Sequence, residues 1–213
     1  MDAQTWKMLW DGACVTAWIS GVSIVLGVVI GLGLALLRMA RIPVLDTLLA
    51  TWISLARSAP LVTLTLFIFL AAPSMGWPLD RETVAIIALT VNTSAFNAEI
   101  WRGAVQSFSK EQREAAQACG MSSWLMFRRI MLPPMVVASL PGLINEMSFL
   151  IKGSPAVAII GLVDLTRVTN RIAAVTYEPL PPMLAAAGIY MVMVAVLIKL
   201  QAVAERRAHR LAM

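Results

Sequence analysis

The sequence predicts an all-α polytopic membrane protein with about five transmembrane helices, and three observations predict it. Of 213 residues, 59% are hydrophobic and 14% are charged, with a mean hydropathy of +0.79. A soluble domain of that composition would lack the polar surface to cover itself. Uncharged runs recur at about the 20-residue length that a bilayer core about 30 Å thick demands of a helix. Lysines and arginines, finally, are shared unevenly between the segments joining those runs.

The whole chain, 1–213, reads as one transmembrane domain with spans at about 12–37, 56–74, 82–105, 130–152 and 179–200. Gly12 to Leu37 is uncharged between Asp11 and Arg38. Its length, the acidic residues before it and the arginines after it suit a retained span rather than a signal peptide. Gly27-x-x-x-Gly31 gives that helix a flat face for close contact with another. The second span falls at the start of the run that is uncharged from Ser58 to Leu79. The third is uncharged from Thr83 to Ala98 and reaches full length only with Glu99 inside the membrane. Pro133 and Pro134 open the fourth span, where missing N–H groups cost little, and Glu146 lies within it. The fifth is uncharged from Pro179 to Ile198.

Asp80 and Arg81, with Pro73, Gly76 and Pro78, form a short turn between spans two and three. Residues 153–178 form a longer connection on the same side. Its apolar start, GSPAVAIIGLV, is too short to cross and is interrupted by Pro155, so a short helix dipping into the protein is expected.

Arg38, Arg41, Arg102, Lys110, Arg113, Arg128, Arg129, Lys199, Arg206, Arg207 and Arg210 fall on one side; Lys7, Arg81, Lys152, Arg167 and Arg171 fall on the other. The positive-inside rule makes the richer side cytoplasmic, with the N-terminus outside and the C-terminus inside. The net charge of +5 reflects this bias. No basic stripe with interleaved aromatics exists to bind nucleic acid. Cys14, Cys119 and the single histidine, His209, offer no metal-ligand spacing, and no nucleophile–base set is present. No catalytic residue, metal site or cofactor is therefore expected in this chain.

Between spans three and four lies a cytoplasmic segment, 107–131, with more local structure than a linker needs. Ser109 is a helix N-cap, Glu111 and Glu114 suit the positive end of a helix, and Ala115, Ala116 and Ala118 are strong helix formers. Gly120 ends or bends that helix. A second short helix follows from about Ser122 or Ser123 to Ile130, presenting Trp124, Leu125, Phe127 and Met131 to the membrane or a partner. From the residues alone, the segment is either an interfacial amphipathic loop or a helix pair built to enter a groove on another protein.

The pattern Glu114-Ala115-Ala116, three residues, Gly120, nine residues, Ile130-x-Leu132-Pro133 resembles the EAA loop of ABC importer permeases at every fixed position. Arg57-Ser58-Ala59-Pro60 is similar to that family's Arg-Gly-Thr-Pro, and Ala98-Glu99-Ile100-Trp101-Arg102-Gly103 to its Ala-Glu-Ile-x-Arg-Gly. Leu140-Pro141 and Asn145-Glu146 fit as well. Together these resemble the polar amino acid permeases of the histidine/glutamine/arginine type over nearly the whole chain. The resemblance implies a multi-pass subunit of a bacterial inner membrane. It implies a second permease chain, homologous or identical, two cytoplasmic ATPase subunits that carry ATP and Mg and hold the EAA loops in grooves, and an extracytoplasmic substrate-binding protein. This chain has no Walker A motif of its own. Where the family carries Lys-Asp-[Ser/Thr]-Ser-Leu, this chain reads Lys152-Gly153-Ser154-Pro155-Ala156. The resemblance implies an acidic contact for a cationic or ammonium-bearing ligand at that position, and its loss argues against a direct basic-amino-acid site.

Ionisable groups inside spans are expensive and mark pathways or paired structure. Asn92, Ser94, Asn97 and Glu99 in span three, and Glu146 in span four, are the candidates for an amino acid-like substrate's pathway. Asn92 and Glu99 share a helical face, two turns apart. Arg57 and Arg102 are candidates to neutralise Glu99, which would make it a packing element instead. A stand-alone secondary transporter or channel is the alternative to the importer subunit; it predicts internal repeats or paired broken helices.

Overall fold

The computed structural model describes residues 2–40 and 42–212, without the side chains of residues 201 and 204–212. Arg41 and the side chains of Arg206, Arg207, His209 and Arg210, used above to orient the chain, lie outside the described residues. The described residues form helices and no strands: α1 Ala3–Met39, α2 Pro43–Ser58, α3 Leu61–Ser74, α4 Arg81–Gln106, α5 Lys110–Ala118, α6 Ser123–Met126, α7 Leu132–Gly153, α8 Leu165–Thr176 and α9 Leu180–Ala212. A π turn, Phe127–Met131, joins α6 to α7, and a 3₁₀ segment, Ser154–Ile160, follows α7. Among the described residues, four helical stretches are long and apolar enough to cross a bilayer, and the α2–α3 pair, bent by 107°, counts as a fifth if taken as one broken span.

α1 begins well before the uncharged run because Asp2 caps it, accepting from the Thr5 backbone N–H at 2.9 Å. Its 37 residues span about 55 Å at 1.5 Å each, longer than a bilayer core. Exposed Trp6 and Trp10 sit on the extra turns, as interfacial aromatics do. α1 packs most extensively on α4, and the small residues make that possible. A Cβ on Gly27 would lie 2.2 Å from Thr93 Cγ2, and one on Gly31 would lie 2.6 Å from Asn97 Cβ. The flat face read from the glycine pair is the α1–α4 seam.

α2 was not anticipated. Pro43 at its first turn, and apolar Val44, Leu45, Leu48, Leu49, Trp52 and Ile53 at helical spacing, are its sequence signals. Asp46 and Arg57 interrupt the hydropathy and hide it. Pro60 then stops α2 and opens α3, because the residue before a proline avoids the helical region: Ala59 is extended, with ψ 125°.

The connection after α7 turns inward as a 3₁₀ segment rather than an α-helix. Val157 and Ile160 are buried with Ile19, Val84 and Leu89 in one core cluster. α8, also unanticipated, packs on α1 and α9 through Leu165, Val168 and Ile172. Its N-cap, Asp164, is buried and accepts from the Thr166 and Arg167 N–H groups at 3.3 and 2.9 Å. Burial pushes the Asp164 carboxyl above its usual range.

Candidate functional site

Two regions carry the site residues: the α5–α6 connection at one end of the bundle, and a cavity between α4 and α7.

In the connection, Ser109 caps α5 by accepting from the Gln112 N–H at 3.2 Å. Gly120 has φ +73°, the left-handed conformation that ends the helix, and the Met121 N–H reaches back to the Ala116 carbonyl at 3.2 Å. Ala116 is buried with Met126 and Met131, while Glu114, Ala115 and Gly120 are exposed. Glu114 meets Lys110 at 3.4 Å with both side chains largely in solvent, a contact of little energetic weight. Trp124 and Leu125 are exposed, Trp124 stacking on Phe127. Met131, expected on the outward face, instead anchors α5 from beneath; Phe127 packs beside it.

The second short helix does not stop at Ile130. It widens into the π turn and runs on into α7, with the Leu132 N–H bonding the Phe127 carbonyl. Pro133 and Pro134 lack N–H groups and crowd the preceding turn, which a wider turn relieves. Ile130 and Leu132 are half-buried and Pro133 is exposed at this junction.

The cavity holds about 500 Å³ and is lined by Asn92 and Phe96 from α4, and by Gly142, Asn145, Glu146 and Phe149 from α7, with Leu61 of α3 closing one side. Asn145 and Phe149 face outward from the chain, so the cavity opens on the molecule's side. A Cβ on Gly142 would lie 2.9 Å from Ile100 Cγ2, so this glycine lets α7 approach α4. Pro141 beside it cannot donate to the carbonyl one turn back, which loosens α7 just before Asn145 and Glu146. Glu146 makes no ion pair among the described residues. Arg57 lies over the Phe96 ring, 5.1 Å from its centroid.

Of the five pathway candidates, the structure brings Asn92 and Glu146 to this cavity and not the other three. Ser94 is buried and donates to the Val91 carbonyl at 3.0 Å. Asn97 is buried at the α1 seam, its amide 3.5 Å from Thr93 Oγ1. Glu99 lies at the far end of α4 in a charge chain. It accepts from Arg38 Nη1 at 2.8 Å and from Arg102 Nε at 2.9 Å, and Arg38 Nε reaches Asp46 at 2.8 Å. This chain ties the ends of α1, α2 and α4 together. Arg102 is a partner of Glu99 and Arg57 is not; Arg38 was overlooked because it reaches Glu99 from the end of α1, 61 residues away in sequence. Asn145, Phe96 and Phe149 were also missed as lining residues. The signal for Asn145 and Phe149 was the spacing Gly142, Asn145, Glu146, Phe149, one face of a helix, and Phe96 stands one turn from Asn92 on α4.

A family profile described as "Binding-protein-dependent transport system inner membrane component" matches residues 24–210. The chain is 32% identical over 200 residues to the nopaline transport system permease protein NocM of Agrobacterium fabrum, covering 89% of this chain and 83% of that one. It is 32% identical over 211 residues to the glutamine transport system permease protein GlnP of Escherichia coli, covering 95% and 96%. A crystal structure of an amino acid ABC transporter with histidines superposes with a TM-score of 0.88 at 32% identity, covering 96% of this chain and 95% of that one. An inward-facing structure of the MetNI methionine ABC transporter superposes with a TM-score of 0.85 at 19% identity, covering 98% and 99%, a likeness of fold.

Proposed function

The chain belongs to the binding-protein-dependent transport system inner membrane component family, and from that membership we propose how its two sites divide the work of import. It is the permease subunit of an ABC importer in the inner membrane, a transport component rather than an enzyme. The stand-alone transporter or channel gives way to this membership.

The proposed assembly pairs this chain with a second permease chain, so that the side opening of the α4–α7 cavity faces its counterpart. Two ATPase subunits, carrying ATP and Mg, hold the exposed face of α5 and α6, with Glu114, Ala115 and Gly120 in contact and Ala116, Ile130, Leu132 and Pro133 holding that face in place. A substrate-binding protein docks at the opposite end, which puts the N-terminus outside and the C-terminus in the cytoplasm. The burial of Ala116 in one cluster with Met126 and Met131 supports force transfer, because movement of α5 is then passed through that cluster to the start of α7.

The substrate class is a polar amino acid or a related compound. The observation that carries this is Glu146, a carboxylate in a membrane helix, facing a cavity with two amides and no cation paired to it among the described residues. A substrate ammonium satisfies that carboxylate, and Asn92 and Asn145 supply hydrogen bonds on either side. The test is uptake of labelled amino acids by the reconstituted importer carrying Glu146→Gln. Loss of one charge-assisted contact raises KM about tenfold or more with the complex intact. An unchanged KM for every substrate transported removes Glu146 from the pathway.

A further inference from the structure

A second polar crevice, of about 300 Å³, lies where the ends of α1 and α4 meet α5. Arg38, Arg102 and Arg113 line it, with Asp46 and Gln106. Arg38 and Arg102 are partly engaged by Asp46 and Glu99. Arg113 makes no ion pair among the described residues, and its Nε is buried without a hydrogen-bond partner. A guanidinium has five N–H donors, so all three arginines hold donors in reserve. Among the described residues, three guanidinium groups meet two carboxylates, Asp46 in the crevice and Glu99 behind it, which leaves one positive charge in excess.

Its depth is set by the sequence. The uncharged run of α1 ends at Leu37, and Arg38 is the next residue. The crevice therefore stands at the level of lipid headgroups, where basic pockets between helices take phosphate. A phosphodiester carries one negative charge and oxygen acceptors on more than one side, matching the excess charge and the free donors. We propose that this crevice binds the phosphate of an anionic lipid headgroup, with Arg113 as the ligand contributed by α5. A lipid held there bridges the α5–α6 connection to the ends of α1 and α4. The site is distinct from the α4–α7 cavity and does not depend on what that cavity transports.

The experiment is native mass spectrometry of the purified importer titrated with phosphatidylglycerol, for the wild type and for Arg113→Gln, Arg113→Lys and Arg171→Gln. Arg171 is exposed on α8 and serves as the control. Arg113→Gln weakens the tightest-bound lipid about tenfold, Arg113→Lys weakens it less, and Arg171→Gln leaves it unchanged. A parallel titration with inorganic phosphate separates the sources. If phosphate alone binds the lipid-free complex through Arg113 and displaces the lipid, the occupant is a soluble phosphate; if it does not, the occupant is the lipid. Equal lipid binding by Arg113→Gln and Arg171→Gln overturns the site.

Discussion

Replacing Glu99 by glutamine tests whether the charge chain is structure or pathway. Glu99 contacts two guanidinium groups, and its side chain is 19% exposed, with Arg38 at 18%. Removing one partner of a fully buried pair costs about 3–5 kcal/mol. The remaining exposure and the retained Arg38–Asp46 bond reduce this, so Glu99→Gln should destabilise by about 2–3 kcal/mol. The glutamine carbonyl still accepts one hydrogen bond, which sets the lower end of that range. Equilibrium unfolding in mixed detergent micelles reads the loss, and a double-mutant cycle with Arg38→Gln should return a coupling of about 1–2 kcal/mol. Uptake by the reconstituted importer should keep its KM. Undiminished stability together with an altered KM would refute the reasoning and return Glu99 to the pathway.

Further outcomes follow from the packing and the caps. Gly31→Ala drives a Cβ to 2.9 Å from the Ser94 carbonyl oxygen, a backbone atom that cannot rotate away, and should cost about 1–3 kcal/mol. Gly33→Ala meets nothing within 4 Å and should be neutral or mildly stabilising in the same unfolding assay. Asp164→Ala leaves two N–H groups of α8 without their acceptor and should lose about 1–2 kcal/mol, whereas Asp164→Asn keeps an acceptor and removes a buried charge, so its melting point should stay near wild type. Hydrogen bonds from Thr83 hold the exposed Asp80 carboxyl below its ordinary value of 3.8, so its contribution is present above that pH and is lost as pH falls through the lower folded value. The melting-point gap between wild type and Asp80→Asn should accordingly close only in that acid range.

The fold class was legible because hydropathy alone carries it: long uncharged runs have one stable solution in a bilayer. What stayed hidden depended on tertiary context. α2 carries Asp46 and Arg57, whose cost is offset by Arg38 and by the Phe96 ring, and neither partner is adjacent in sequence. Glu99 and Glu146 look alike as buried carboxylates, yet one is paired twice and the other faces a cavity; only the fold separates them. Ser94 and Asn97 share α4 with Asn92, but the α1 seam claims their side of the helix, an assignment set by Gly27 and Gly31 on a different element. The α5–α6 connection was the most readable region, since its caps and its turn glycine act locally. The π turn was not, because it answers the crowding of two prolines by reshaping the turn before them.

The most direct test of the account is the coupling between ATP hydrolysis and uptake in the importer reconstituted with Glu114→Lys or Gly120→Asp. If α5 and α6 transmit the ATPase's movement, both variants insert and assemble, ATP is still hydrolysed, and uptake per ATP falls by about an order of magnitude or more. Uptake per ATP equal to wild type in both variants would contradict the assignment of this connection as the transmission element.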